Sequence, residues 1–490
     1  METGLPAGFK KATFADLYSE VELHKAALKV FTRPLFAWRK ALVRSYDGLT
    51  LYDFARHAHT NLDIIHRRLK GRRFEFREGL ELVYNLNGRV RTFCIFPWEE
   101  RIVDTLLYRM LSRYFHVVFS PNCYAYRCRG YGVDPCQHRL IDYIHGHDLP
   151  LYAVKRDIQN YFPSIPHDRL LAMLAEWVDP NDHLFELLAT RVRYRVREDD
   201  GGVRTAERGI PFGAAISCFF ANLYLTPVDR AMEQVADTAY FRYADDMLAV
   251  TPDRDRAIQA AACLDGGFAE LGLAGNPRHH AAFRLDEAAA VDADPVFTSV
   301  TRFRHLGLEF RADGSVGLGR DKARKIRNLF RFAFRRARRR LGPSKTVEER
   351  ARLACTIAAD VVGKALRGVA VIDYYLKHID DEHQLMMIDR WLAEEVLAIA
   401  FRNGHKKGNF RRMPFAKLRE FGLPSLRHRH RLIRHGHLPG SFFQLRTETI
   451  IAREQERLSF RPKVEFSPRL EAAAGVDPRE KGVSPVDGCH

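Results

Sequence analysis

Short apolar runs that end on acids mark the centre of the chain. Residues 240–242 and 247–250 are mostly apolar and flank Tyr243-Ala244-Asp245-Asp246. Two strand-like runs around such a stretch predict a β-hairpin with both aspartates at its turn. Residues 151–158 form another mostly apolar run, which carries Asp157 near its end. We therefore expect three acids at points where strands meet loops.

Other periodic segments predict the flanking elements. Residues 81–84 and 91–96 surround Asn85-Leu86-Asn87-Gly88, which suits a hairpin because Asn and Gly accept the positive φ of tight turns. Residues 61–69 have the apolar spacing of an amphipathic helix. Residues 321–341 also have helical spacing, with Lys and Arg filling most of the other positions. One face of that helix can pack on a core while the other follows a phosphate backbone.

The three acids suggest a metal site. Carboxylate oxygens suit Mg²⁺ or Mn²⁺, which keep several waters and rely on substrate phosphates for further ligands. Two such ions about 4 Å apart can activate an attacking 3′-hydroxyl and stabilise a departing pyrophosphate. A lone Asp-Asp pair is more often a solvated turn, because Asp bonds its own backbone. Asp157 on a second strand favours nucleotidyl transfer instead.

The order of sequence blocks resembles the reverse transcriptases. Asp157 matches the first palm acid of that family, and Tyr243-Ala244-Asp245-Asp246 matches its second acidic block. Between them, residues 208–217 and 220–225 resemble the nucleotide loop and the following helix. Further matches lie in residues 119–127, 270–277 and 305–310. Several blocks in the family's order are much more specific than a single short motif.

The resemblance assigns roles to individual residues. Catalysis and metal binding are expected at Asp157, Asp245 and Asp246, with Asp157 and Asp245 as the direct ligands. Nucleotide binding is expected at Arg91, Phe162, Phe212, Gly213, Ser217 and Tyr243. In this set Phe162 would exclude a ribose 2′-hydroxyl, and Tyr243 would touch the primer end. The basic face of the predicted helix at 321–341, rather than the resemblance, indicates nucleic-acid binding at Lys322, Lys325, Arg335 and Arg339.

One position departs from the family pattern. Many relatives have Gln between the Pro and Gly of the nucleotide loop, where this chain has Phe212. A polar contact to the incoming sugar is thereby replaced by an apolar ring. Since a lost hydrogen-bond check weakens discrimination, we expect altered nucleotide selection.

Composition agrees with a nucleic-acid partner. The formal net charge of the 490 residues is +17, and such a chain is expected to bind polyanions. No apolar run has the length of a membrane span, and no secretory signal is visible, so we expect a cytoplasmic protein without a membrane partner. Eight scattered cysteines do not suggest a disulfide framework. Cys123, Cys128, Cys136 and His138 lack the paired spacing of a zinc site, which favours ordinary thiols.

The resemblance implies the fold class α/β (α+β), a right-hand polymerase with a fingers and palm sheet followed by an all-helical thumb. The expected divisions are a helical N-terminal extension at 1–75, fingers and palm at 76–320, a helical thumb and RNA-binding region at 321–445, and a C-terminal tail at 446–490. The resemblance implies RNA-directed DNA synthesis from dNTPs. The large flanking regions and Phe212 resemble stand-alone bacterial enzymes of antiphage defence that work with a non-coding RNA, and we expect that role. A group II intron-type maturase and template-independent DNA synthesis are the alternatives, and a homo-oligomer or partner protein is left open.

Overall fold

The structure is a computed structural model that describes residues 9–438, except 35–36, 87–88, 128–129, 199–200, 288–293, 343, 364 and 367–368. The expected tail at 446–490 and the hairpin tip Asn87-Gly88 lie outside the described residues. The described residues begin with five helices: α1 (Phe14–Leu17), α2 (Glu20–Thr32), α3 (Ala37–Leu42), α4 (Leu51–Arg56) and α5 (Ala58–Lys70).

The middle of the chain alternates strands and helices. Its elements are β1 (Gly79–Leu86), β2 (Arg89–Ile95), α6 (Trp98–Tyr114), α7 (Val133–His145), β3 (Leu151–Asp157), α8 (Tyr161–Ser164), α9 (His167–Trp177), α10 (His183–Val192), β4 (Arg195–Arg197), β5 (Val203–Thr205), α11 (Ser217–Tyr224), α12 (Thr226–Glu233), β6 (Ala239–Tyr243), β7 (Asp246–Thr251), α13 (Arg254–Glu270), β8 (Ala281–Leu285), β9 (Thr298–Val300), β10 (Arg302–His305), β11 (Leu308–Arg311) and β12 (Val316–Leu318).

The last described part is mostly helical. It contains α14 (Arg320–Arg336), α15 (Val347–Gly363), β13 (Ala365–Leu366), β14 (Val369–Ala370), α16 (Val371–Leu376), α17 (Glu382–Phe401), α18 (Asn409–Arg412), α19 (Phe415–Glu420) and α20 (Leu426–Arg434). The short β13–β14 ribbon differs from the all-helical region that the sequence predicts.

Three sheets lie in the described middle of the chain, and the smallest has the order β10-β11-β12. A five-stranded sheet has the order β6-β7-β3-β8-β9, and a four-stranded sheet has the order β2-β1-β4-β5. The predicted hairpins are confirmed as β1–β2 and β6–β7, both antiparallel. Strand β3 lies at the centre of the five-stranded sheet, and its apolar residues Leu151, Ala153 and Val154 are buried there. The predicted fold class is therefore confirmed, apart from the ribbon.

Three apolar cores stabilise these layers. The largest joins the N-terminal helices to the helices around the two sheets, including Leu23 of α2, Leu107 of α6 and Trp177 of α9. A second lies under the five-stranded sheet beside α7 and β10–β12. The third lies among the C-terminal helices, where Ile326 and Phe330 place one face of α14 inside. No helix within the described residues combines the length and apolar character that a membrane crossing requires.

Candidate active site

Strand register brings the three predicted acids to one edge of the five-stranded sheet. Strand β3 pairs with β7 so that Asp157 lies directly opposite Asp246. Strand β6 pairs with β7 so that Tyr243 also lies opposite Asp246, which leaves Ala244 and Asp245 as the two-residue turn. Directly opposed residues have Cβ atoms about 4.5 to 5.5 Å apart. All three aspartates are partly exposed at this edge.

A buried ion pair anchors the hairpin that carries two of these acids. Arg242 of β6 donates from Nε to Oδ1 of Asp229 on α12 at 2.6 Å, and Nη2 donates to Oδ2. The Tyr240 hydroxyl donates to the same carboxylate at 3.2 Å. Arg242 Nη1 also donates to the carbonyl oxygen of Ala244 at 3.3 Å. The guanidinium therefore fixes the turn, in which Ala244 has a φ of +58°.

The sequence patterns alone predict no role for Asp229 or Arg242. Both side chains are fully buried. Burial lowers the pKa of Arg242, but the Asp229 carboxylate raises it well above its usual range, so the arginine stays charged. The sequence feature that could have indicated this ion pair is an arginine inside an apolar strand next to the acids, because a buried charge requires a partner.

Asp246 has a cation beside it. The Lys155 ammonium lies 3.2 Å from one Asp246 carboxylate oxygen and 3.4 Å from the other. His305 Nδ1 lies 3.7 Å from the same carboxylate. Burial lowers the pKa of His305 to about 4, against the opposing effect of Asp246, so the imidazole is neutral at pH 7. Lys155 is therefore the group that neutralises Asp246.

Asp157 is held by the loop after α13. Asn276 Nδ2 donates to Oδ2 of Asp157 at 2.8 Å, and the Asn276 backbone N–H donates to the Asp157 carbonyl oxygen at 2.8 Å. The side chain and the main chain of Asp157 are thus both bonded by one residue. The predicted block at residues 270–277 therefore positions Asp157 through Asn276.

The negative charge of Asp245 affects Tyr161. Burial raises the pKa of Tyr161 well above its usual range, and the negative charge of Asp245 raises it further. Tyr161 opens the segment that follows Asp157, and its hydroxyl donates to the Ala221 carbonyl oxygen at 2.5 Å. Asp245 therefore lies near α8, whereas Asp246 contacts Lys155.

The carboxylates fit a metal that takes part of its ligands from a substrate. Within the described residues, no three His, Cys, Asp or Glu side chains converge closely enough to hold an ion alone. Mg²⁺ commonly binds one or two carboxylates together with waters and substrate phosphates. Asp157 and Asp245 could supply such a partial set, since Lys155 already pairs with Asp246.

Hydrogen bonds hold the predicted nucleotide loop to β2 and to the start of α11. The Cys94 N–H of β2 donates to the Phe212 carbonyl oxygen at 2.8 Å. Gly213 has a φ of +127°, and a Cβ there would lie 2.5 Å from the Cys94 carbonyl oxygen, so only glycine fits. The buried Ser217 hydroxyl donates to the Pro211 carbonyl oxygen at 2.7 Å. Gly213 and Ser217 therefore shape the loop.

The other predicted nucleotide-binding residues lie on several elements. Phe162 and Phe212 are half-buried, with ring centroids 5.5 Å apart. Tyr243 is half-buried at the end of β6, next to the acidic turn. Arg91 lies on β2 opposite Tyr84, and its side chain lies outside the described part.

The predicted nucleic-acid-binding residues fall in two environments. Lys325, Arg335 and Arg339 are exposed, the first two on α14 and Arg339 in the turn after it. Lys322 is half-buried, and its Nζ lies 5.0 Å from the ring centroid of Tyr375. Lys322 therefore differs from the three exposed residues in its burial, although it lies one turn from Lys325 on α14.

Residues 83–310 match the family model described as "Reverse transcriptase (RNA-dependent DNA polymerase)". This segment is a reverse transcriptase domain. It includes Asp157, the β6–β7 hairpin and the nucleotide loop, whereas α1–α5 and α14–α20 lie outside the match.

Two similar proteins each match part of the chain. The "Uncharacterized 91 kDa protein in cob intron" of Schizosaccharomyces pombe is 25% identical over 181 residues, which are 36% of this chain and 21% of that protein. The chain thus spans about a fifth of that relative. A structure titled "Structure of apo telomerase from Candida Tropicalis truncated from C-terminal domain" has 11% identity and a TM-score of 0.39, over 54% of this chain and 60% of that one. A likeness this low carries no argument about function.

Proposed function

We propose that the protein is an RNA-directed DNA polymerase that adds dNTPs to a 3′-hydroxyl. The observation that supports this most directly is the pairing of Asp157 with Asp246 across β3 and β7, with Asp245 in the adjoining turn. The acids lie inside the reverse transcriptase domain and are partly exposed, so a substrate can reach them.

In this proposal Asp157 and Asp245 would hold Mg²⁺ or Mn²⁺. The bound ions would supply the activation of the 3′-hydroxyl and the stabilisation of the leaving pyrophosphate. Asn276 holds the Asp157 carboxylate in place through Nδ2. Asp246 completes the acidic site, and its pairing with Lys155 limits the repulsion between three clustered carboxylates.

The loop residues would bind the nucleotide. Gly213 lets the loop approach β2 closely, and Ser217 fixes its far end. The exposed part of the Phe162 ring would lie under the sugar and collide with a ribose 2′-hydroxyl, which favours dNTPs. The exposed residues Lys325, Arg335 and Arg339 would contact the phosphates of the RNA template and the nascent DNA.

The central test is labelled dNTP incorporation on an RNA template, with Mg²⁺ or Mn²⁺, by the wild-type protein and Asp245→Asn. We expect a loss of about 1,000-fold or more, because metal ions supply several kcal/mol and each 1.36 kcal/mol is about tenfold in rate. Asp142→Asn is the matched control, since this acid is well exposed on α7. Equal rates for wild type and Asp245→Asn would refute the proposal.

For the biological role we propose bacterial antiphage defence with a dedicated non-coding RNA. The basic surface of α14 and the departure at Phe212 support a specialised template. Sequencing the RNA that copurifies with the protein would identify that template. Incorporation that needs the acids but resists RNase would instead indicate template-independent synthesis.

An intron-type maturase is the second candidate, favoured by the likeness to a protein encoded in a cob intron. A maturase would bind and fold intron RNA, with polymerisation secondary. Asp245→Asn separates the two roles, because RNA maturation should survive the loss of this acid and defence through DNA synthesis should not.

A further inference from the structure

Three phenylalanine rings connect the four-stranded sheet to the segment after Asp157. The Phe93 ring of β2 lies 4.8 Å from the Phe212 ring, centroid to centroid, at an interplanar angle of 74°. The Phe212 ring lies 5.5 Å from the Phe162 ring at 63°. Both contacts have the edge-to-face geometry that aromatic pairs favour. Phe212 therefore bridges Phe93 and Phe162.

The backbone holds this bridge at both ends. The Phe212 carbonyl oxygen accepts a hydrogen bond from the Cys94 N–H, next to Phe93, at 2.8 Å. The Ile210 N–H donates to the Phe162 carbonyl oxygen at 2.9 Å. The loop is thus bonded to β2 on one side and to α8 on the other. A displacement of Phe93 would be transmitted to Phe162 through a short, bonded connection.

Three tyrosines extend the contacts at the ends of the series. Tyr84 of β1 packs edge-to-face on Phe93, with centroids 5.6 Å apart at 79°. Tyr126 lies 6.4 Å from Phe162 at 66°. Tyr161 lies 5.9 Å from Phe162 at 78°. Phe162 is therefore contacted by Phe212, Tyr126 and Tyr161, with Phe212 the nearest, while the residue stays partly exposed.

We propose that Phe93 is a positioning residue for sugar selection, acting through Phe212 on the Phe162 ring. This inference rests on the proposed function and names the substrate class, 2′-deoxynucleoside triphosphates over ribonucleoside triphosphates. A ring excludes a 2′-hydroxyl only if it cannot move aside, because a rotated ring opens the space that the hydroxyl needs. The freedom of the Phe162 ring to rotate depends on the rings that pack against it. Phe93 packs against Phe212, which is the nearest of these rings.

The test compares kcat/KM for one dNTP and the matching rNTP on the same primer and template. The variants are Phe93→Ala, Phe212→Ala and the double variant, with Phe93→Tyr as the conservative change. We expect Phe93→Ala to lower the dNTP/rNTP ratio by about 2- to 10-fold, the range of one aromatic contact. The double variant should lower it no further than Phe212→Ala, and Phe93→Tyr should keep the wild-type ratio. Tyr52→Ala, an exposed aromatic on α4, is the control.

Each outcome separates this inference from the proposed function. If the wild-type protein incorporates no nucleotide, the proposed function fails and this inference fails with it. If wild type and Phe93→Ala both incorporate dNTP with the same ratio, the inference alone fails. Should Phe93→Ala lose all activity, Phe93→Leu decides, because it keeps apolar bulk without a ring edge. A lowered ratio in Phe93→Leu would support the inference, and an unchanged ratio or an inactive protein would overturn it.

Discussion

Replacing Asp229 by Ala would leave the guanidinium of Arg242 inside the protein without its carboxylate. Both side chains are fully buried, and two hydrogen bonds join them. Of the other groups around the guanidinium, Asn222 Oδ1 at 3.2 Å and the Ala244 carbonyl oxygen at 3.3 Å are neutral. They cannot balance the positive charge, so the Asp229→Ala protein would bury it uncompensated.

The expected loss of stability is large. Removing one partner of a buried ion pair costs about 3 to 5 kcal/mol. Native proteins are stable by only about 5 to 15 kcal/mol in total, so the variant would lose a major fraction of its margin. The site should also suffer, because Arg242 Nη1 bonds the Ala244 carbonyl oxygen in the turn that carries Asp245.

Urea unfolding, followed by circular dichroism and tryptophan fluorescence, measures this loss as a lower midpoint. The matched control is the double variant Asp229→Ala/Arg242→Met, which removes both charges and keeps apolar bulk. Replacing a complete buried ion pair with apolar groups is often neutral or stabilising, so the double variant should be more stable than Asp229→Ala. dNTP incorporation at a temperature where each variant is folded then reports on the turn.

Two results would refute this reasoning. Asp229→Ala with a free energy of unfolding within about 0.5 kcal/mol of wild type would behave like a surface substitution. A double variant no more stable than Asp229→Ala would show that the loss does not come from the unpaired charge of Arg242.

Three further predictions concern other parts of the chain. Burial raises the pKa of Glu22, but hydrogen bonds and charge from Arg109 outweigh this and lower it to about 2. The stabilisation is present above pH 4.5 and lost as the pH falls towards 2, so the urea midpoints of wild type and Glu22→Gln should converge from pH 6 to pH 3. Arg335→Gln should reduce the salt dependence of RNA binding by about 0.9 in log-log slope if it removes one phosphate contact, whereas Arg67→Gln on α5 should leave it unchanged. Phe212→Gln should change the misincorporation spectrum, and spectra equal to the parent's would exclude a role for Phe212 in selection.

The local sequence was sufficient to predict the elements that carry the acids. The apolar run at 151–158 is confirmed as β3, which ends at Asp157, and the runs around Asp245 are confirmed as β6 and β7. These predictions depend on alternation and turn chemistry within a few residues, which the chain sets without distant contacts. Helix α14 was predicted too long, because it ends at Arg336 rather than 341. Arginines crowd its last turn and the turn after it, and like charges three or four residues apart destabilise a helix.

Only the tertiary structure decided which side chains meet. Lys155 and Asp246 are 91 residues apart in the chain, and the register of β3 and β7 brings them together. Lys322 has the same charge as Lys325, yet the docking of α14 leaves Lys322 half-buried beside Tyr375 and Lys325 exposed. A periodic pattern shows which face of an element is apolar, but it carries no information about what packs on the other faces. Long-range packing sets those contacts, because they join segments that the sequence separates.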